Sequence, residues 1–229
     1  LIRGTTLRKI LQEHRDMPAE IGAAIVLELC DALAHAHEAG IIHRDVKPDN
    51  LFLVGEKGDP YELKVVDFGM AKLMQGEVTS AGMALGTLEY MAPEQAITDA
   101  VDARADVYGL GVVMYRLLCG RIPFDAQDSS TLIAQHLFTP PPRPCTVRPD
   151  MVRPVEAVIL KALSKNPANR YADMQELLED LERLLLERGG ALIAYRAPRG
   201  PVDYQPQGTF AKSVATALRA HLDKVGAFG

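Results

Sequence analysis

The clearest periodic pattern in this chain is an apolar residue at every fourth position. Four residues follow this spacing: Ile21, Ile25, Leu29 and Leu33. Residues four apart share one face of an α-helix, and glycine is common just after a helix C-terminus. The pattern therefore predicts a long amphipathic helix that ends before Gly40. A shorter helix is predicted over residues 7–14.

Two short apolar runs are typical of β-strands. They occupy Leu51–Val54 and residues 63–66, and residues 55–60 between them are rich in turn formers (GEKGDP). Short apolar runs on either side of such a turn favour a hairpin. We therefore predict a small two-stranded β hairpin at this point of the chain.

A different pattern covers residues 106–119, which are apolar nearly all round the helix. A helix without a polar face is a buried helix, so we predict that this one lies at the centre of the fold. Further helices are predicted over residues 153–164 and 172–188, and a short amphipathic one over 212–224. Residues 69–93 show no periodicity, and a loop of that length in a compact domain is usually functional.

The composition limits the partners of the chain. Its 229 residues, 48% of them hydrophobic, suffice for one substantial core. The net charge of −5 includes no basic run, which argues against a nucleic-acid partner held by phosphate contacts. No apolar run reaches the roughly 18 residues that a membrane-spanning helix needs. The three cysteines form neither a CxxC pair nor an even set, which indicates reduced thiols and a cytoplasmic protein.

Residues 43–50 (HRDVKPDN) carry the residue types that phosphoryl transfer to a hydroxyl requires. That chemistry needs a carboxylate to orient the hydroxyl and accept its proton, a cation near the phosphate, and oxygen ligands for a metal. Asp45 supplies the carboxylate and Lys47 the positive charge. Asn50 is a hard oxygen ligand suited to Mg²⁺. Asp67, at the end of the second predicted strand, offers another oxygen ligand facing the same place.

These motifs resemble those of protein kinases. Three segments match, in order, the catalytic loop, the metal-binding motif and the end of the activation segment: residues 43–50, 67–69 (DFG) and 92–94 (APE). The resemblance covers residues 1–187 and is greatest to bacterial serine/threonine kinases of the eukaryotic type. It implies a protein-kinase-like α+β fold, here a mainly α-helical C-terminal lobe with a small β hairpin. Residues 188–229 would then be a linker or tail.

The resemblance also implies roles for individual residues. Asp45 would be the catalytic base, helped by Lys47, and Asn50 and Asp67 would hold Mg²⁺ beneath ATP. Phe52 would form the floor of the adenine site. The substrates would be proteins that bear serine or threonine.

Further residues would support the site. The expected contacts are these: His43 packed against Phe68, Glu94 paired with Arg170, and Asp106 accepting backbone hydrogen bonds from near His43 and Arg44. The extension of the family match through Gly111 and Arg170 strengthens the assignment.

Two positions favour serine/threonine over tyrosine as the acceptor. Lys47 lies where tyrosine kinases usually carry a different sequence. Thr87 matches the threonine that, in serine/threonine kinases, bonds the catalytic aspartate and lysine.

Arg44 suggests regulation, since an arginine beside a long loop can bind a phosphorylated residue of that loop. Thr79 and Ser80 are the candidate phosphorylation sites. Arg44 bracing its own loop through a carboxylate is the alternative.

The N-terminal lobe of the family supplies a Gly-rich loop, a strand lysine and a helix glutamate. None of these is found in this sequence, and residues 1–7 resemble the segment that follows the hinge between the lobes. We therefore expect these residues to be a C-terminal lobe without its N-terminal lobe, inactive by themselves. We also expect the strand surface around Leu51, Leu53 and Val65 to be uncovered.

Two other classes of function stay open. One is a pseudokinase-like scaffold that binds partners without turnover, against which the intact Asp45, Lys47, Asn50 and Asp67 argue. The other is a small-molecule phosphotransferase, which shares the base and metal ligands. Such enzymes generally lack the partnership expected here between Glu94 and Arg170.

Overall fold

The computed structural model describes residues 4–13, 19–54, 62–68 and 85–188. Within these ranges the chain forms a small sheet and a larger helical body. The strands are β1 (Gly4–Thr6), β2 (Leu51–Val54) and β3 (Glu62–Val65). The helices are α1 (Leu7–Glu13), α2 (Ala19–Glu38), α3 (Leu85–Leu88), α4 (Arg104–Cys119), α5 (Ser129–Phe138), α6 (Pro144–Val147), α7 (Arg153–Ala162) and α8 (Met174–Arg188). The described ranges also contain 3₁₀ turns at Pro48–Asn50, Pro93–Ala96 and Pro167–Asn169. The predicted helical lobe with a small β element is confirmed.

Helix α4 lies at the centre of this body, as its apolar pattern predicts. Thirteen of its residues are buried, and α2, α6, α7 and α8 all pack against it. Gly109 lets α4 approach the segment of residues 43–50, because a Cβ at position 109 would lie 3.1 Å from the Cβ of Val46. Close packing therefore explains this glycine, and it also explains Gly111, whose added Cβ would lie 3.0 Å from that of Ala162.

The sheet differs from the predicted two-stranded hairpin. It has three antiparallel strands in the order β1-β2-β3, with Thr6 opposite Phe52 and Leu51 opposite Val65. Strand β1 is a single short segment without alternation, so periodicity could not reveal it. The expectation that Leu51 and Leu53 are uncovered is wrong, since both are fully buried in the main core. Side chains alternate across a strand, and this places Phe52 on the opposite face.

Other differences concern short or mixed segments. Helix α5 was not predicted, although Asp128 caps it by accepting a hydrogen bond from the Thr131 N–H at 2.8 Å. Its buried residues are few, namely Leu132 and His136, and so leave a weak apolar stripe. Helices α3 and α6 are one turn each, which is too short for a periodic signal. The predicted helix over 212–224 lies outside the described residues.

Among the described residues, no helix is both long enough and apolar enough to span a bilayer. All three cysteines are free thiols: Cys30, Cys119 and Cys145. Burial raises the pKa of the Cys119 thiol to about 12, so this thiol is not a thiolate at neutral pH.

Candidate active site

The segment with the candidate catalytic residues is fixed from below by Asp106. This carboxylate projects from the first turn of α4 and is fully buried. One oxygen, Oδ1, accepts the Arg44 N–H at 2.7 Å, and the other, Oδ2, accepts the His43 N–H at 2.8 Å. His37 Nε2 lies 2.8 Å from Oδ2 as well. A buried carboxylate is tolerated when such hydrogen bonds surround it, and here they set the path of the backbone.

Two residues of the site have left-handed backbone conformations. Arg44 has φ 65° and Asp67 has φ 61°. A positive φ is uncommon for residues other than glycine and persists where the surroundings determine it. At Arg44 the N–H is held by Asp106, and the carbonyl accepts a hydrogen bond from Gln95 Nε2 at 2.8 Å. The bend that presents Asp45 is therefore held from both sides.

Asp45, Lys47, Asn50 and Thr87 form one connected cluster. Lys47 Nζ lies 2.7 Å from Asp45 Oδ2 and donates to Thr87 Oγ1 at 2.9 Å. The Asn50 amide donates to the Asp45 carbonyl at 2.8 Å and to Asp45 Oδ2 at 3.0 Å. The Asp45 side chain remains 23% exposed. It is thus oriented by two neighbours while it stays within reach of a substrate.

His43 joins this cluster to the end of β3. The Asp45 N–H donates to His43 Nδ1 at 3.2 Å, so Nε2 carries the proton and donates to the Val66 carbonyl at 2.9 Å. The ring of Phe68 lies 4.7 Å from the imidazole, centroid to centroid. His43 is completely buried. The geometry suits a structural role, as the sequence predicts.

Asn50 and Asp67 are brought together at the ends of β2 and β3. The Val66 N–H donates to the Asn50 carbonyl at 3.0 Å. Asp67 is the next residue after Val66, so it lies close to Asn50. Asp67 is exposed, and the Asn50 amide nitrogen donates to Asp45, so the Asn50 side-chain oxygen is the atom that could bind a metal. One amide oxygen and one carboxylate fit Mg²⁺, which is usually held by few protein oxygens together with phosphates. In the described part of the chain, no group of three or more His, Cys, Asp or Glu side chains could hold a metal by itself.

Phe52 lies on the face of the sheet opposite the core side chains of Leu51 and Leu53. Its neighbours across the strands are Thr6 on β1 and Lys64 on β3. The ring is half-buried, whereas the residues before and after it point into the core. A partly exposed aromatic ring next to Asn50 offers an apolar surface to a planar base.

Glu94 and Arg170 form a bidentate ion pair. Arg170 Nη1 donates to Glu94 Oε1 at 2.6 Å, and Nη2 donates to Oε2 at 2.7 Å. The remaining guanidinium donors bind three backbone carbonyls, those of Ser164, Arg104 and Lys165. The Arg170 side chain is fully buried and lies over the Tyr108 ring, with Cζ 4.9 Å from the ring centroid. The 3₁₀ turn that carries Glu94 is thereby fixed to the helical body.

A buried polar cluster accompanies this pair. Tyr108 Oη lies 2.9 Å from His136 Nδ1, and the Lys165 ammonium lies 4.0 Å from the centroid of the Phe124 ring. Burial, aided by the charge of Lys165, lowers the pKa of His136 to about 4. Burial, aided by the charge of Arg170, lowers the pKa of Lys165 to about 8. His136 is therefore neutral at physiological pH, and the cluster packs α5 against α4 without a buried imidazolium.

Sequence reasoning missed three residues that the structure brings to the site. His37 binds Asp106, Gln95 binds the Arg44 carbonyl, and Arg8 lies 2.5 Å from Asp49. Each lies far along the chain from its partner or has a common polar side chain, so no local pattern distinguishes it.

The Arg44 guanidinium makes no hydrogen bond or ion pair to another described residue. This observation speaks against the alternative in which Arg44 braces its own loop through a described carboxylate. Thr79 and Ser80, the candidate phosphorylation sites, lie outside the described residues.

Comparisons with known proteins agree with this geometry. Residues 1–181 match the sequence profile described as "Protein kinase domain". The chain is 43% identical over 198 residues to serine/threonine-protein kinase Pkn1 of Myxococcus xanthus, a match that covers 80% of the chain and 29% of that relative. It is 40% identical over 185 residues to PknB of Mycobacterium leprae, covering 80% of the chain and 29% of the relative. To PknL of Mycobacterium tuberculosis it is 35% identical over 230 residues, covering 100% of the chain and 55% of the relative.

Proposed function

Because the chain belongs to the protein kinase domain family, we propose that its site transfers the γ-phosphoryl group of ATP to serine or threonine hydroxyls of proteins. The observation that carries this proposal is the single cluster in which Lys47 bridges Asp45 and Thr87 while Asn50 orients Asp45. A base, a cation and a metal ligand are thus held together. The chain spans 29% to 55% of the relatives named above, so the activity of the whole protein is part of the proposal.

Asp45 is the group that handles the proton. Its exposed oxygen accepts a hydrogen bond from the substrate hydroxyl and takes the hydroxyl proton. At the same time the hydroxyl oxygen bonds to the γ-phosphorus of ATP, and the bond from that phosphorus to the leaving ADP breaks. Lys47, held between Asp45 and Thr87, keeps a positive charge beside the transferred group. Most of the catalysis in this chemistry comes from such positioning and charge stabilisation.

Mg²⁺ supplies charge neutralisation on the phosphates when it is bound. Asn50 and Asp67 are the residues that would hold it, since both present oxygen atoms at the adjacent ends of β2 and β3. Phe52, on the face of the same sheet that is opposite Leu51 and Leu53, would contact the adenine base. The proximity of these three residues follows from one hairpin register.

Exchange of Asp67 for asparagine is expected to weaken Mg²⁺-dependent ATP binding by roughly tenfold or more, because a charged oxygen ligand is lost. Asparagine also tolerates the left-handed backbone of this position, so the change isolates the charge. Calorimetric titration of ATP with and without Mg²⁺ measures the effect. Exchange of the exposed Asp150 for asparagine is the control, and equal affinities in the two variants would remove Asp67 from the metal site.

The acceptor class is inferred from Lys47 and Thr87. The two side chains bond each other beside Asp45, as the family resemblance to serine/threonine kinases implies. The test is transfer from γ-labelled ATP to protein substrates by the natural protein in its full length, followed by phosphoamino-acid analysis. We expect phosphoserine and phosphothreonine. Label found in a small molecule would favour a small-molecule phosphotransferase, and ATP binding without transfer would favour a scaffold.

We also propose phosphorylation between Met70 and Thr87, first at Thr79 and second at Ser80. The support is the Arg44 guanidinium, which has no partner among the described residues and belongs to the residue directly before Asp45. A phosphate there would form charge-assisted hydrogen bonds to Arg44. Mass spectrometry of the active protein should find the phosphate, and exchange of Arg44 for glutamine should reduce the activity gained on phosphorylation. Active protein without phosphate in this segment would contradict the proposal.

Two assignments complete the proposal. We assign residues 1–187 to the catalytic domain, supported by the packing of α8 against α2, and residues 188–229 to a linker or tail. We place the site in the cytoplasm, where its proposed substrate ATP is available.

A further inference from the structure

Arg8 lies between two carboxylates that belong to two different segments of the site. Its Nε is 2.5 Å from Asp49 Oδ1, and its Nη2 is 3.9 Å from Glu89 Oε2. Asp49 belongs to the segment that carries Lys47 and Asn50. Glu89 lies two residues beyond Thr87. The side chain of Arg8 is 35% exposed, so this cation contacts both segments at the surface of the molecule.

The position of Arg8 is fixed by its helix. Leu7, Ile10 and Leu11 of α1 are buried in the main core, and α1 packs against the Pro48–Asn50 turn. Gly86 admits the guanidinium, because a Cβ at this position would lie 3.1 Å from Arg8 Nη2. The Arg8 side chain therefore has a defined position on this surface.

The same surface adjoins the residues that would surround the acceptor hydroxyl. A hydroxyl at Asp45 would lie next to Lys47 and Thr87, and Asp49 and Glu89 each follow one of these two residues by two positions. An extended substrate, at about 3.3 Å per residue, would bring the residues next to its acceptor within reach of the two carboxylates. The side chains of Asp49 and Glu89 are 36% and 24% exposed, so both carboxylates can be approached from the surface.

We propose that Arg8 is a specificity-determining residue that occupies the acidic pair Asp49 and Glu89 in place of a basic residue of the substrate. The inference rests on the proposed kinase function. With Arg8 present, the two carboxylates attract a substrate arginine or lysine only weakly. Without it, two unneutralised carboxylates select basic residues near the acceptor. Arg8 thus sets the selectivity by neutralising two carboxylates that would otherwise attract basic residues of the substrate.

The test uses the natural protein in its full length and a peptide set with one acceptor serine. Each peptide carries either arginine or alanine at one of the three positions on either side of the serine. Wild-type protein is expected to give kcat/KM ratios, arginine to alanine, near unity at every position. Exchange of Arg8 for methionine, which keeps the apolar stem, is expected to raise the ratio about fivefold at one position or more, the order of a part-exposed ion pair.

Two further variants separate selectivity from stability. Arg8→Met combined with Asp49→Asn should return the ratio toward unity, as a coupled pair requires. Lys9→Met is the matched control on the same helix, because the only ion pair of Lys9 among the described residues is with Glu13, at 3.9 Å. The Lys9→Met variant should give the wild-type ratio of kcat/KM.

The outcomes are distinct. If Arg8→Met keeps the wild-type ratio of kcat/KM, arginine to alanine, then Arg8 is purely structural, whether transfer to all peptides is intact or uniformly lowered. That result would overturn this inference but not the proposed function. Wild-type protein that already prefers arginine at these positions would overturn it as well. Failure of wild-type protein to phosphorylate any peptide or protein would overturn the proposed function, and the inference with it.

Discussion

Exchange of Asp45 for asparagine in the full-length protein is expected to lower the rate of phosphoryl transfer by about 10²–10⁴-fold. The asparagine oxygen can occupy the position of Asp45 Oδ2 and keep the hydrogen bonds from Lys47 and Asn50. The amide nitrogen then replaces the oxygen that would accept the proton of the substrate hydroxyl. The shape of the cluster is preserved, and its basicity is lost.

ATP binding should change little in this variant, because Asp45 contacts the hydroxyl side of the site in the proposed mechanism. The rate is measured under single-turnover conditions and the affinity by calorimetry with Mg²⁺. Exchange of the exposed Asp99 for asparagine is the control for loss of one negative charge. A near-wild-type rate for Asp45→Asn would remove the catalytic base from the proposal.

Three residues of the Asp45 cluster could be predicted to lie together because they are close in sequence. Asp45, Lys47 and Asn50 lie within six positions of one another, and a turn of that length cannot place them far apart. The same reasoning located Asp67, because a hairpin brings the ends of its two strands together. Helix α4 was predictable for another reason, namely that an all-round apolar helix has no other stable position than the core.

The supporting contacts were harder to predict. The position of Gln95 becomes apparent only when the turn at Pro93–Ala96 lies against the segment of Arg44, 51 positions earlier. His136 and Tyr108 meet through the packing of α5 on α4, which depends on a helix with a weak apolar stripe. The pairing of Arg8 with Asp49 was missed because a surface arginine on a helix has no sequence signature. Tertiary packing, rather than local propensity, decides each of these contacts.

The backbone before Asp45 is held by one connected set of contacts. Asp106 of α4 holds the backbone at His43 and Arg44, and Gln95 holds the Arg44 carbonyl from the other side. Gln95 in turn lies in the turn that the Glu94–Arg170 pair fixes to the body. The position of Asp45, the proposed base, therefore depends on the Glu94–Arg170 ion pair, and damage to that pair should affect both stability and the proposed catalysis.

Exchange of Arg170 for lysine is accordingly expected to lower the free energy of unfolding by about 3–5 kcal/mol, the range for a broken buried ion pair. Lysine keeps the charge but presents one nitrogen, whereas the arginine donates to both oxygens of Glu94 and to three carbonyls. Several buried acceptors would lose their donor. Urea unfolding followed by circular dichroism measures the change.

The matched control is Arg104→Lys, the same substitution in a bidentate pair with Asp102 at the surface, where the side chains are 34% and 55% exposed. There the loss should stay within about 1 kcal/mol, because water compensates an exposed pair.

Should Arg170→Lys fail to fold, Glu94→Gln is the milder variant, which keeps the shape and turns one acceptor into a donor facing the guanidinium. We expect it to cost about 1–3 kcal/mol and to lower phosphoryl transfer through the Gln95 contact to Arg44. Equal unfolding midpoints for Arg170→Lys and Arg104→Lys, or a stable Glu94→Gln with full activity, would show that the buried pair does not support the site.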